Sequence, residues 1–372
     1  MAIHIKELNI NTFRGIRDLE IKKLGDINII TGDNNTGKTS VLEILSTLSS
    51  PFELKTWLNL GNRVSFGEVS KYENFNMIFN VNNEYKNIMY SIVDSENNCN
   101  NISLEAYDQE VELTYDEIEK IDSFTFNSKI YEENDELANN KYVKTEEVNE
   151  CEILFKLNDE ILNKEKIYDF QRKIKYPKQK LKQLNKSVYI SPVQHANSEM
   201  FLSNILNQPD MYEEMLNILN LFDDGIISIN ADSSKNKFSS KNVYKILSKN
   251  NKTAIPLNFY GDGIKKAILL LSAVIHAKDG ILLLDEFEIA IHTSAMEELF
   301  AWIVNACIKL NVQLFMTSYS EEAIDKVLKC SPEIQDKMRL ITLYSNEDKI
   351  VSRVLDGKKA IKLKDDLGVE LR

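Results

Sequence analysis

Gly32-Asp33-Asn34-Asn35-Thr36-Gly37-Lys38-Thr39 spaces two glycines, a lysine and a threonine as a phosphate-binding loop does. It follows an apolar strand, Ile27 to Ile30, and opens a helix, Ser40 to Leu48, so the context agrees with the spacing. A loop of this kind works only where a buried strand meets a helix N-terminus, which confines the chain to α/β architectures. The glycines let the backbone aim successive N–H groups at an anion, and the helix adds its positive end. Gly32, Asn34, Asn35, Thr36, Gly37, Lys38, Thr39 and Ser40 are therefore the candidate nucleotide contacts. Lys38 suits the β- and γ-phosphates, and the Thr39 hydroxyl suits Mg²⁺.

About 250 residues downstream, Ile281-Leu282-Leu283-Leu284-Asp285-Glu286 is an apolar strand ending in two carboxylates, the place where a doubly wound sheet puts reacting groups. Asp285 is the expected metal ligand, and Glu286 is expected to orient and polarise an attacking water. Gly261-Asp262-Gly263-Ile264-Lys265-Lys266 precedes a helix of nearly pure Ala, Ile and Leu. Gly261, Gly263 and Lys265 can offer bare N–H groups and a cation to a phosphate, and a plain helix-entry turn explains the same glycines.

Composition narrows the remaining classes. A net charge of −12 argues against a chain that coats nucleic acid uniformly. Residues 101–160 hold 18 acidic and 5 basic side chains, and residues 161–190 hold 9 basic and 2 acidic ones, so the charge is local. No apolar run approaches the ~20 residues that span a bilayer, and the start lacks a signal peptide's long apolar segment; a cytoplasmic protein without membrane contact is expected. Cys99, Cys151, Cys307 and Cys330 are too far apart for a C-x-x-C metal site, and His4, His195, His276 and His292 are equally scattered.

The order of segments suggests a split core. Residues 3–10 and 18–31 have strand character around a turn at Phe13-Arg14-Gly15, and residues 51–63 have no regular pattern. Asn76 to Val81, Tyr85 to Val93 and Ile102 to Tyr107 are expected strands, residues 114–150 an acidic, Asn-rich segment, and 151–157 a further strand. Ile161, Ile167, Phe170, Ile174, Leu181 and Leu184 predict a lysine-rich helix over 159–185, broken near Pro177; it suits a solvated face or a contact with DNA or a partner. Val188 to Ser191 returns to the core, Glu199 to Phe222 predicts a helix, and Ile226 to Ile229 with Asn242 to Leu247 a hairpin. Two buried strands, Ile281 to Leu284 and Val312 to Thr317, flank a helix from Ala295 to Lys309. The expected fold is α/β: a P-loop ATPase core with a mixed sheet and an N-terminal antiparallel part (residues 1–60 and 187–372), interrupted by an α+β insertion (61–186).

The series Phe13-Arg14-Gly15, the phosphate loop, Gly261-Asp262-Gly263, Asp285-Glu286, His292 and Thr317-Ser318 resembles the ABC-type ATPases of the SMC, RecF and OLD (overcoming lysogenization defect) group. The ATPase subunits of bacterial anti-phage defence systems are especially similar. The resemblance covers roughly residues 1–50 and 187–345 and leaves the insertion unmatched. It implies an ATP- and Mg²⁺-dependent homodimer in which each phosphate loop is completed by the other subunit's Gly261 to Lys265. It further implies that Ile289 to Ser294 contacts the partner subunit and that Gln194 joins Thr39 and Asp285 at the metal.

Two departures stand out. Tyr319 occupies the place of the family's switch histidine, and Tyr260 that of the signature serine. A tyrosine, with a pKa near 10, is no imidazole-type γ-phosphate contact at neutral pH, so slow hydrolysis is expected. Only 86 residues follow Glu286, which leaves no room for a Toprim nuclease domain of about 100 residues; a separate effector, a nuclease or toxin, is expected. The leading expectation is a sensor or regulatory ATPase of a defence complex. A RecF- or SMC-like DNA-maintenance ATPase is the alternative; a transporter subunit and a scaffold with a vestigial site are weaker ones.

Overall fold

The computed structural model describes residues 4–61, 70–79, 86–122, 145–174, 181–197, 201–206, 208–232, 243–347 and 349–371. Its strands are β1 (Ile5–Phe13), β2 (Ile16–Ile21), β3 (Ile27–Gly32), β4 (Lys86–Asp94), β5 (Cys99–Thr114), β6 (Thr145–Leu157), β7 (Glu160–Tyr168) and β8 (Ser187–Ile190). They continue with β9 (Ile226–Asp232), β10 (Val243–Ser248), β11 (Ile255–Pro256), β12 (Ile281–Leu284), β13 (Gln313–Thr317), β14 (Met338–Asn346) and β15 (Lys349–Asp356). One compact unit takes Met1–Glu7, Ile21–Ser46 and Asn185–Arg372, and the other takes Leu8–Glu20 and Thr47–Leu184.

In the first unit the sheet order is β15-β14-β3-β13-β12-β8, parallel throughout except for the antiparallel pair β14–β15. Every residue of β3 is buried, as expected of a central parallel strand covered on both faces. Its one amide, Asn28, is satisfied inside the core: Gly25 N donates to Oδ1 at 2.8 Å, and Nδ2 donates to Gly25 O at 2.8 Å and Leu314 O at 3.2 Å. The helix Asp262–His276 is buried without a break from Lys266 to Ile275, which explains its nearly pure Ala, Ile and Leu sequence. The expected hairpin is β9–β10, with β11 added at its other edge. The predicted helix over 199–222 is instead a short turn of helix at Leu202–Ile205 and a second helix, Pro209–Leu219. Pro209, with no N–H to give, is tolerated at a helix start and breaks a helix interior.

In the second unit the sheet order is β2-β1-β4-β5-β6-β7, with β4 to β7 antiparallel. Three sequence expectations are corrected here. Residues 160–168 form strand β7 and not a basic helix: Ile167 is buried opposite Cys151, and Lys166 pairs with Glu150 at 2.9 Å. The unpaired edge of β6 supplies a whole ladder of backbone bonds, which outweighs weak helical spacing. Of the rest of that prediction, residues 169–174 and 181–185 form no helix either, and 175–180, around Pro177, lie outside the described residues, as do 123–144 of the acidic segment. Residues 54–61, expected to be irregular, form a helix anchored by fully buried Trp57, whose indole N–H donates to Pro51 O at 2.8 Å. The strand expected from Asn76 is the end of a helix, Lys71–Asn76, fixed by a capping box between Ser70 and Glu73.

The mixed sheet and the strand–loop–helix joint at Gly32 agree with the expected α/β class. Among the described residues no helix is long and apolar enough to cross a membrane.

Candidate ATPase site

Strand order builds the site. β13 lies between β3 and β12, with Thr317 beside Ile30 and Met316 beside Leu284. The phosphate loop leaves β3, the carboxylates leave β12, and Thr317 ends β13 between them at the carboxyl edge of the sheet.

The loop's shape depends on left-handed backbone at Gly32 (φ 134°), Asn35 (φ 65°) and Gly37 (φ 83°). A Cβ at Gly32 would overlap the Leu343 carbonyl oxygen of β14, so this position requires glycine. Thr36 Oγ1 donates to Asp33 O at 2.8 Å and closes the turn. Asn34 and Asn35 are exposed, and Thr39 and Ser40 stand half-buried in the first turn of the helix Lys38–Thr47. Lys38 is buried; its ammonium donates to Gly32 O and Asp33 O, both at 2.7 Å, and lies 3.9 Å from the centre of the Tyr319 ring. Burial pushes its pKa down, against the pull of Asp33, Glu286 and Asp285.

Asp285 is the hub. Thr39 Oγ1 donates to its two oxygens at 3.1 and 3.2 Å, Thr317 Oγ1 donates at 2.7 Å, and Tyr189 OH donates at 2.9 Å. A buried carboxylate facing a threonine hydroxyl is a hard oxygen donor set that fits Mg²⁺. Gln194, the third expected metal group, is placed differently: its Oε1 accepts from Ser191 N at 3.3 Å, and no hydrogen bond joins it to Thr39 or Asp285 among the described residues. No cluster of three or more His, Cys, Asp or Glu side chains suits a metal among those residues.

Glu286 sits in the left-handed region (φ 46°), and its N–H donates to Thr317 Oγ1 at 2.8 Å. Burial, then Asp285 and Glu288, raise its pKa, while Lys38 and Lys266 oppose the rise. That direction suits a general base working nearer neutrality. Asn34, Asn35, Glu286 and Tyr319 line an open pocket of about 700 Å³. Glu288 Oε1 accepts from Ser318 Oγ at 2.7 Å and Tyr319 N at 3.2 Å, fixing the turn that carries Tyr319.

The glycine turn is placed nearby in the same unit. Gly261 caps the helix Asp262–His276, and a Cβ there would meet open space, whereas one at Gly263 would come within 3.3 Å of Ala290 O. Lys265 pairs with Asp262 at 2.6 Å. His292 caps the following helix, its Nδ1 accepting from Ser294 N at 3.2 Å. Sequence reasoning passed over Lys266, which is 1% exposed. Among the described residues its ammonium makes one long bond, 3.4 Å to Pro192 O, and burial lowers its pKa to about 8 against the pull of Glu288, Asp285 and Glu286. Thr317 and Tyr189 also gain their roles only through strand order.

Known proteins resemble this chain over most of its length. An "ATP/GTP phosphatase" of Helicobacter pylori is 26% identical over 385 residues, covering 95% of this chain and 96% of that protein. A crystal structure of the SmcHead bound to the C-winged helix domain of ScpA aligns over 96% of this chain and 99% of that chain, with a TM-score of 0.50 and 12% identity, a likeness of fold. The family model described as "AAA domain, putative AbiEii toxin, Type IV TA system" matches residues 27–325, a span that runs from β3 through the phosphate loop, the carboxylates and Tyr319. The chain belongs to this AAA-domain family and is an ATPase of that type.

Proposed function

We propose that the chain binds and hydrolyses ATP with Mg²⁺, dimerises around the nucleotide, and acts as the sensor or regulatory subunit of an anti-phage defence complex with a separate effector. The carrying observation is the convergence of Lys38, Thr39, Asp285 and Glu286 at one sheet edge, with Thr317 bonded to both carboxylate residues. In this reading the loop N–H groups and Lys38 hold the phosphates, Thr39 and Asp285 hold Mg²⁺, and Glu286 takes a proton from the attacking water. Bound Mg²⁺ supplies Lewis-acid neutralisation of phosphate charge. Gly261, with open space before it, is the group available to a second subunit's nucleotide.

Glu286→Gln removes the base and keeps the shape: phosphate release is expected to fall ~10²–10⁴-fold while ATP binding persists and ATP-dependent dimers accumulate in light scattering. A variant that stays monomeric with ATP overturns the sandwich. Growth arrest by this chain expressed alone would place the effector on it and overturn the regulatory reading. The alternative, a DNA-maintenance ATPase, predicts salt-sensitive, ATP-dependent DNA binding.

A further inference from the structure

We infer that Tyr319 is a lid on Lys38, working through the face of its ring. An ammonium has three donor directions. Two are taken by the carbonyls of Gly32 and Asp33 at 2.7 Å, and the ring of Tyr319 faces the cation with its centroid at 3.9 Å. Tyr319 and Glu286 line the pocket, and Lys38, 3% exposed, does not. Tyr319, 40% exposed as a residue, meets the pocket and, through its ring, the charge. Its position is fixed from behind, since Glu288 Oε1 accepts from both Ser318 Oγ and Tyr319 N.

A cation over an aromatic face is held electrostatically, more strongly as water is excluded. A phosphate arriving through the pocket must exchange with the ring to reach Lys38. Tyr319 thereby weakens nucleotide capture and confines it to ligands with enough negative charge to displace the ring. This reading rests on the proposed binding of ATP at the loop, and the test separates the two.

The variants are Tyr319→Ala and Tyr319→Phe, at a part-exposed position. The first readout needs no nucleotide: the rate at which a small acylating reagent modifies the Lys38 amine, followed by peptide mass spectrometry. Alanine is expected to accelerate Lys38 acylation several-fold, and phenylalanine to leave it near the rate of the unmodified protein. The second readout is the Kd for Mg·ATP by calorimetry. Alanine is expected to tighten it roughly tenfold, in line with loss of a partly desolvated cation–π contact, and phenylalanine to stay within about threefold of the parent. Unchanged acylation in the alanine variant, equal or weaker ATP binding by it, or a phenylalanine variant that behaves like alanine overturns the lid. Failure of the unmodified protein to bind ATP overturns the reading of the loop and leaves the acylation result to decide the lid.

Discussion

Thr317→Val tests the site where fold and chemistry share one hydroxyl. Thr317 Oγ1 donates to Asp285 at 2.7 Å and accepts from Glu286 N at 2.8 Å, and the side chain is 1% exposed. Valine keeps the branched shape, so the change is chiefly the loss of the hydroxyl and not a cavity. An orphaned buried N–H costs about 1–3 kcal/mol, and a hydrogen bond to a charged group contributes about 1.5–3 kcal/mol. Partial replacement of both by water leaves an expected loss of about 3 kcal/mol, a large share of the ~5–15 kcal/mol that holds a protein folded. In a unit of this size that is roughly 6–12 °C in Tm. Glu286 is also held in the left-handed region (φ 46°), and the lost bond is its tie. Release of that strain turns the carboxylate from its place, and a misplacement of about 1 Å costs on the order of 10²-fold in rate. Thermal unfolding and steady-state phosphate release measure the two losses, and Thr317→Ser, which restores the hydroxyl, is expected to recover both. A valine variant that turns over at the parent rate, or that loses under about 1 kcal/mol, refutes the two-way role of this hydroxyl.

Further outcomes follow from the same geometry. Lys266→Met removes a buried cation whose bond to Pro192 O is long, 3.4 Å, and is expected to raise stability at pH 7 by about 3 kcal/mol, the cost implied by a pKa of about 8 against 10.5. The folded chain releases this proton before the unfolded one does, so the penalty is complete below pH 8 and is relieved as pH rises towards 10.5. Denaturation series across pH 7–10 are expected to show that rise in the parent and not in the variant. Gly32→Ala meets the Leu343 carbonyl at a φ of 134° and is expected to lose more than about 3 kcal/mol by circular dichroism. Gly261→Ala, with open space and φ −63°, is expected to change stability by under about 0.5 kcal/mol; loss of ATP turnover there then reports a contact from a second subunit.

What was legible in the sequence was local. The phosphate loop announces itself because strand, glycine turn and helix are contiguous, and Asp285 and Glu286 do so because they end an apolar run. Thr317 and Tyr189 carry no such mark; they reach Asp285 because β13 and β8 flank β12, a fact of topology. Lys265 and Lys266 are adjacent and alike in sequence, and only packing of the helix decides that one pairs with Asp262 while the other is buried among carboxylates. Ile167, Phe170 and Ile174 keep the i, i+3, i+7 spacing of a helix, and the free edge of β6 nonetheless made a strand of residues 160–168. Capping boxes at Ser70 with Glu73 and Thr114 with Glu117 did signal helices, but Asn-rich and acidic surroundings hid them.

Strand β3 is made long before it is enclosed. Its two neighbours, β13 and β14, begin 281 and 306 residues after Gly32. At ~5–20 residues per second a ribosome needs roughly 15–60 s to deliver them. Throughout that interval Ile27, Ile29 and Ile30 have bare backbone edges, the condition under which a strand pairs with the wrong chain. A growing chain thus holds the loop's sequence for most of its synthesis without the walls that shape it, and one that stops before Thr317 carries the signature of an ATPase without the site.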